Sequence, residues 1–141
     1  GFDLPSEAEW EYACRGESCS ALPNNLPLTN AGTCPNVSLL GYYTGNGGAS
    51  GTGPKPVGQY LPNGFGLYDM IGNVAEFCRE WFSWQVKAAS GATEVVDYEG
   101  PARGGNFVSG ASACKCAYRV CPNVSQTSDW TYGFRVALRL R

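Results

Sequence analysis

Residues 4–16 read LPSEAEWEYACRG and predict the clearest helix in the chain. Ser6 and Glu9 have the spacing of a capping box, in which each side chain accepts a hydrogen bond from the backbone N–H of the other residue. Acidic residues favour the first turn of a helix because of its dipole, and a glycine such as Gly16 is suited to end it. We therefore expect a helix that begins after Ser6 and ends at Gly16.

This helix has two candidate core faces. Trp10 and Cys14 lie four residues apart and share one face, whereas Ala8 and Tyr12 share a neighbouring one. One of these faces is expected to pack on the core.

The composition excludes several classes of function. The chain has 141 residues, of which 43% are hydrophobic and 13% aromatic, and this is typical of one globular domain over 1–141. Its net charge is −2 with no run of basic residues, which argues against a nucleic-acid partner. The apolar runs fall far short of the ~20 residues that span a bilayer, so no membrane span is expected in this stretch. Histidine is absent, which removes the commonest general base and makes hydrolase chemistry a poor fit.

Two further segments suggest local structure. Residues 42–56, YYTGNGGASGTGPKP, are rich in glycine but lack the Gly-Lys-Ser/Thr of a phosphate-binding loop, so we interpret them as a long surface loop. Residues 133–141, GFRVALRLR, alternate apolar and basic side chains and predict a strand. Its apolar face, made of Phe134, Val136, Leu138 and Leu140, is expected in the core.

Seven cysteines are present, and three of them, Cys114, Cys116 and Cys121, lie within eight residues. An odd number leaves at least one thiol unpaired within the chain even in an oxidising compartment, and the sequence alone does not give the connectivity. A metal–thiolate site and buried structural thiols both remain open for this cluster.

Four phrases, in this order, carry a family resemblance: LPSEAEWEYACRG at 4–16, PVGQYLPNGFGLYDMIGNVAEF at 56–77, RGGNF at 103–107 and GFRV at 133–136. Together they resemble the formylglycine-generating enzyme (sulfatase-modifying factor) family. The resemblance implies an irregular α+β fold of the C-type-lectin-like type, with short strands, one or two helices and many loops. Because the family's enzymes are about twice as long, the chain resembles either the C-terminal part of a longer protein or a compact version of the fold.

The family's enzymes hold copper(I) between two cysteine thiolates. The resemblance places the first of these positions at Ser109 and the second at Cys114 or Lys115. A serine hydroxyl is a poor ligand for copper(I), which prefers soft thiolates. We therefore expect no enzyme activity and no required cofactor; the alternative is a copper-dependent oxidase that uses Cys114, Cys116 and Cys121 instead.

The resemblance also implies two structural features. One is a disulfide between Cys14 and Cys121; apart from the resemblance, Cys19 and Cys34 flank a loop and could pair, and Cys78 and Cys114 are candidates for a third bridge, with Cys116 left over. The other is a calcium site that uses side chains and backbone carbonyls, formed by Asp69, Gly72, Val74 and Glu76. Oxygen ligands of both kinds suit Ca²⁺. The alternative is that Asp69 caps a turn and Glu76 pairs with Arg79 or another arginine.

A narrower resemblance concerns residues 103–135, which resemble the variable segment of diversity-generating retroelement proteins. Their fixed frame corresponds to Arg103, Gly104, Gly105, Cys114, Ala117, Arg119, Pro122, Gly133, Phe134 and Arg135. The residues between, at about 108–132, would then bind ligand: Val108, Ser109, Gly110, Ser112, Tyr118, Val120, Cys121, Asn123, Val124, Ser125, Thr127, Ser128, Asp129, Trp130 and Tyr132. Aromatic anchors among small and hydroxylic residues are typical of binding loops.

These observations predict a non-catalytic display domain for a protein or glycan ligand. Two alternatives to the display domain remain: the copper oxidase, and a structural or adaptor domain of a surface protein. Display at the surface of a cell or virion, or secretion, is favoured over a cytoplasmic location. The sequence leaves the identity of the ligand and the oligomeric state open.

Overall fold

The computed structural model describes residues 1–80, 82–87, 93–122 and 130–138. Its regular elements are short and separated by loops, as the α+β prediction requires. The helices are α1 (Glu7–Arg15) and α2 (Pro35–Ser38), with single 3₁₀ turns at Thr44–Asn46 and Ala111–Ala113. The strands are β1 (Phe2–Asp3), β2 (Ala75–Phe77), β3 (Phe82–Lys87), β4 (Thr93–Glu99), β5 (Ala102–Arg103), β6 (Arg119–Val120), β7 (Tyr132–Phe134) and β8 (Ala137–Leu138). Within these ranges, no helix combines the length and the apolar character needed to cross a bilayer.

Helix α1 forms as its sequence predicts. The Ser6 hydroxyl accepts from the Glu9 N–H at 3.2 Å, and the Glu9 carboxylate accepts from the Ser6 N–H at 2.7 Å. Gly16 ends the helix with φ of 52°, a left-handed conformation that glycine adopts without a Cβ penalty. Trp10 and Cys14 form the core face, since both are buried, whereas Tyr12 is exposed.

The central sheet has the strand order β6-β5-β2-β7. Strand β2 pairs antiparallel with β5 and parallel with β7, so Glu76 lies opposite Arg103 on one side and Gly133 on the other. Strands β1 and β8 form a separate antiparallel pair, as do β3 and β4. Thus the phrases RGGNF and GFRV, which begin in β5 and β7, flank the phrase at 56–77, which ends in β2.

The first part of the glycine-rich stretch belongs to the core, contrary to the prediction of a surface loop. Tyr42 and Tyr43 are buried, and a Cβ on Gly48 would lie 1.9 Å from the carbonyl oxygen of Phe107. Glycine is required there because two backbone segments approach too closely for any side chain.

The prediction for the C-terminal strand is wrong in its choice of face. The segment divides into β7 and β8, and Phe134, Val136 and Leu138 are 68%, 56% and 58% exposed. Leu140 lies outside the described residues. The reason is Arg135, whose side chain turns inward to the Glu76 carboxylate, so that its neighbours face outward by the strand's alternation.

Candidate functional site

Arg103, the first residue of the predicted frame, joins β5 to helix α1. Its guanidinium is buried, donates to the Glu11 carboxylate and lies 3.7 Å from that of Glu7. It also donates to the Cys116 carbonyl at 3.3 Å and lies over the Trp10 ring. This frame position therefore has a structural role, since one buried cation fixes both the helix and the turn that carries Cys116.

Gly104 and Gly105 turn the chain out of β5. Both have positive φ values, 88° and 71°. A Cβ on Gly104 would lie 2.9 Å from the Met70 carbonyl oxygen, and one on Gly105 would lie 2.6 Å from that of Ala113. These positions accept only glycine without strain, so the frame's Gly-Gly pair is explained by backbone geometry.

Ser109 ends a compact turn that begins at Asn106. Its hydroxyl donates to Asn106 Oδ1 at 2.9 Å and accepts from the Asn106 N–H at 3.1 Å. The Ser109 carbonyl accepts from both the N–H and the hydroxyl of Thr44, at 3.2 and 2.9 Å. The turn is thereby attached to the glycine-rich stretch.

The three clustered cysteines lie in different environments. Cys114 and Cys116 are fully buried, whereas Cys121 is half-buried. Burial raises the pKa of the Cys114 thiol to about 12, which opposes the thiolate that a metal would need. Among the described residues, no group of three or more histidine, cysteine or acidic side chains converges on a metal-binding point. The pair of positions that the resemblance assigns to copper(I), Ser109 and Cys114, does not fit this ion, because Ser109 supplies a hydroxyl and Cys114 a protonated thiol.

Cys14 and Cys121 are not bonded in this structure, in which all seven cysteines are free thiols, so the disulfide implied by the family resemblance stays a prediction. The Cys14 thiol donates to the Met70 carbonyl at 3.6 Å, in the same buried core that contains Cys116.

The predicted aromatic anchors lie in different environments. Trp130 is 64% exposed, and its ring lies over Gly53, where a Cβ would be 3.7 Å from Cζ3 of the indole. Tyr132 is half-buried in β7 and stacks on Phe77 with ring centroids 5.5 Å apart. Tyr118 is half-buried. Trp130 is therefore the most exposed of the three predicted anchors.

Among the other predicted binding residues, Val108 and Ser112 are exposed, and Ser109, Gly110, Val120 and Cys121 are half-buried. The remaining six lie outside the described residues: Asn123, Val124, Ser125, Thr127, Ser128 and Asp129. The structure adds the glycine-rich loop 44–53, which sequence reasoning missed as part of this surface. It contacts the segment at both ends, through Thr44 to Ser109 and through Gly53 to Trp130. Its exposed small and hydroxylic residues were the available signal.

The predicted calcium ligands lie in a different region, at β2. Both Glu76 oxygens accept from Arg135, at 2.5 and 2.7 Å, and Oε2 also accepts from the Trp10 indole N–H at 2.6 Å. The Asp69 carboxylate accepts from the Gly58 N–H at 2.6 Å. Burial acts to lower the pKa of Arg135, but its hydrogen bond and charge interaction with Glu76 raise it overall.

This geometry agrees with the alternative in which Glu76 pairs with an arginine, and that arginine is Arg135. Gly72 is buried and Val74 half-buried in the same β2 region. Calcium coordination by Glu76 would require displacement of the Arg135 guanidinium, so calcium stays a prediction.

A cleft of about 430 Å³ opens beside this ion pair. It is lined by Val57, Gly58, Gly66, Leu67, Tyr68, Asp69, Asn73, Val74, Glu76, Phe134 and Arg135. No described member of the predicted binding set lines it, although two residues of the predicted frame, Phe134 and Arg135, do.

Comparison with known proteins places this geometry in a family. Residues 1–140 match the family described as the sulfatase-modifying factor enzyme 1-like domain. A formylglycine-generating enzyme of Thermomonospora curvata is 36% identical over 152 residues, which cover 97% of this chain and 49% of that enzyme. The serine/threonine-protein kinase pkn1 of Chlamydia pneumoniae is 35% identical over 144 residues, which cover 97% of this chain and 21% of the kinase. Among solved structures, Treponema denticola variable protein 1 is similar with a TM-score of 0.70 and 30% identity, covering 96% of this chain and 47% of that one.

The chain spans about half the length of these relatives or less. The similarity confirms the α+β, C-type-lectin-like fold and the resemblance to retroelement variable proteins. The chain belongs to the sulfatase-modifying factor enzyme 1-like family, which includes the formylglycine-generating enzymes.

Proposed function

We propose that this chain is a non-catalytic display domain that binds a protein or glycan ligand through residues at about 108–132. The observation that carries the proposal is that, within segment 103–135, residues of the predicted frame are buried whereas residues between them are exposed. Arg103, Gly104 and Gly105 are fixed by buried contacts, whereas Val108 and Ser112 between the frame positions are exposed. Exposed residues on a rigid scaffold are where binding function concentrates.

The adjoining loop 44–53 enlarges this binding surface. Thr44, Ser50 and Thr52 are exposed, and Trp130 lies against Gly53 at one edge. An exposed aromatic anchor beside small hydroxylic residues resembles the composition of antibody binding loops, where the aromatic ring carries most of the energy.

Loss of the copper-binding pair supports a non-catalytic role. In the relatives' chemistry two soft ligands must converge on one metal ion. Here Ser109 is engaged in a turn with Asn106, and Cys114 is a buried thiol with a raised pKa. We therefore assign the chain no oxidase activity, although relatives of this family are enzymes.

A second candidate is an adaptor domain within a longer protein. This candidate is favoured by the match to the chlamydial kinase, because the matching region makes up only 21% of that longer protein. For both candidates we propose a location at a cell or virion surface, or secretion, because that is where a diversified binding surface meets its targets.

Sequencing this gene and its neighbourhood across the source population tests the display function. We expect substitutions confined to codons 107–132, next to a reverse transcriptase gene and a near-copy of the segment. Uniform conservation of those codons would contradict diversification. Conversion of a sulfatase-type cysteine peptide to formylglycine by the purified full-length protein, with copper(I) and dioxygen supplied, would overturn the non-catalytic assignment.

A further inference from the structure

The cleft beside the Glu76–Arg135 ion pair contains a second buried carboxylate, that of Asp69. Asp69 is only 8% exposed. Its Oδ2 accepts from the Gly58 N–H at 2.6 Å, whereas no described residue donates to its Oδ1. No described lysine or arginine forms an ion pair with this carboxylate either. A buried charge is costly unless a counter-charge pairs with it, so Oδ1 is an open position for a cation.

The other polar side chains of the cleft floor are already engaged. Both Glu76 oxygens accept from Arg135, which also donates to the Asp69 backbone carbonyl at 3.4 Å. The Asn73 side chain accepts from the N–H of Lys55 and donates to its carbonyl. The ammonium of Lys55 lies over an aromatic ring outside the lining of the cleft. Two carboxylates against one guanidinium therefore leave the cleft with one net negative charge.

The walls of this cleft are apolar and aromatic. Val57, Leu67 and Phe134 line it together with Tyr68, and both aromatic residues are exposed. The face of an aromatic ring attracts a cation. The volume of about 430 Å³ falls within the range of ~300–1,000 Å³ that is typical of small-ligand sites. An alkyl chain would cover these walls, whereas a bare metal ion would leave them in contact with water.

We propose that the cleft binds a primary alkylammonium ion. Its N–H groups donate to Asp69 Oδ1, and its alkyl body packs against Val57, Leu67 and Phe134. The ligand balances the net charge of the cleft and leaves the Glu76–Arg135 pair intact. Calcium takes about six to eight oxygen ligands, whereas an ammonium group is satisfied by the one carboxylate oxygen that is open here and by water. This site is independent of the proposed display function, because no described residue of the predicted binding set lines the cleft.

Titration followed by nuclear magnetic resonance tests the site. The full-length protein, labelled with ¹⁵N, is titrated with n-butylammonium chloride at constant ionic strength. We expect a saturable shift of the Gly58 amide signal, because this N–H is bonded to the Asp69 carboxylate. Sodium butyrate, which has a similar chain and the opposite charge, should give no saturable shift. Equal saturation by the two probes, or saturation by calcium chloride but not by butylammonium, would overturn the proposal.

Variants of the cleft separate charge from shape. In Asp69→Asn the amide oxygen can still accept from the Gly58 N–H, while the negative charge is removed. We expect the affinity for butylammonium to fall ~10-fold or more, as loss of a hydrogen bond to a charged group predicts. Phe134→Ala, at an exposed ring, should weaken binding ~3-fold, and Glu17→Gln, at an exposed acid outside the cleft, should leave it unchanged.

Unchanged affinity in Asp69→Asn would overturn the proposal. The comparison of butylammonium with butyrate uses the wild type alone, so it decides the matter even where Asp69→Asn disturbs the fold. Binding of the ligand of the display segment should be the same in Asp69→Asn as in the wild type, which keeps the failure of either proposal distinct from that of the other.

Discussion

Glu76 and Arg135, which are 59 residues apart, form a bidentate ion pair with N–O distances of 2.5 and 2.7 Å. The Glu76 carboxylate also accepts from Trp10, so this one group connects the central sheet, helix α1 and the segment after β7. Buried charges are stable only when they are paired and hydrogen-bonded, as they are here.

Removing the charge of Glu76 should destabilise the fold. In Glu76→Gln the amide oxygen can still accept from Trp10, but Arg135 loses its counter-charge in a largely buried position. We expect a loss of about 2–3 kcal/mol in the free energy of unfolding, measured with urea. Glu17→Gln, which changes an exposed acid, is the control and should cost less than about 0.5 kcal/mol. Equal stability of the two variants would contradict a structural role for the pair.

Calcium should have little effect on this site. Because Arg135 occupies the Glu76 carboxylate, an ion would have to break the pair before it could bind. We expect the melting temperature to be the same with calcium chloride as with a chelator. A saturable rise with calcium that is absent in Asp69→Asn would instead support the calcium site implied by the family resemblance.

Glu11 should contribute to acid sensitivity. Burial acts to raise the pKa of its carboxyl, but hydrogen bonds from Arg15 and Arg103 lower the pKa overall, below its ordinary value of 4.5. The folded state therefore binds the proton less tightly than the unfolded state. The stabilisation is complete above the ordinary pKa and is lost as the pH falls through the lowered one. Between about pH 5 and pH 3 the wild type should lose stability faster than Glu11→Gln in urea titrations; parallel curves would contradict this.

Gly104 should tolerate substitution less well than a glycine with similar backbone angles and free space. Gly66 has φ of 76°, and a Cβ there would have no atom within 4 Å. Gly104 has φ of 88°, and a Cβ there would meet Met70 and Trp10. Gly66→Ala should cost about 1 kcal/mol for the left-handed conformation alone. Gly104→Ala should cost at least about 2 kcal/mol more, because a core contact must also shift. Urea unfolding of both variants gives the comparison, and similar losses would show that the backbone angle alone matters.

Trp130 should affect binding without affecting stability. Trp130→Ala should weaken binding of the protein or glycan that screening returns by ~30-fold or more, since exposed aromatic anchors dominate such surfaces. Its free energy of unfolding should change by less than about 0.5 kcal/mol. Leu61→Ala, at an exposed apolar residue outside the segment, should change neither quantity. Unchanged affinity in Trp130→Ala would remove Trp130 from the proposed site.

The features that could be predicted from the sequence are local ones. The ends of helix α1 depend on Ser6, Glu9 and Gly16, all within one short stretch, and they form as expected. The exposed face of β8 could not be predicted, because it depends on Arg135 reaching a carboxylate 59 residues away. Alternation and family-like spacing do not contain that information.

The hydrogen bonds from Thr44 end on the backbone carbonyl of Ser109 and not on its side chain. Every amino acid supplies this same acceptor. Replacing residue 109 would therefore alter what the surface presents to a partner while leaving its attachment to the neighbouring loop in place. The two hydrogen bonds between the Ser109 hydroxyl and Asn106 would be lost, so the turn would keep its outer attachment while giving up part of its internal support.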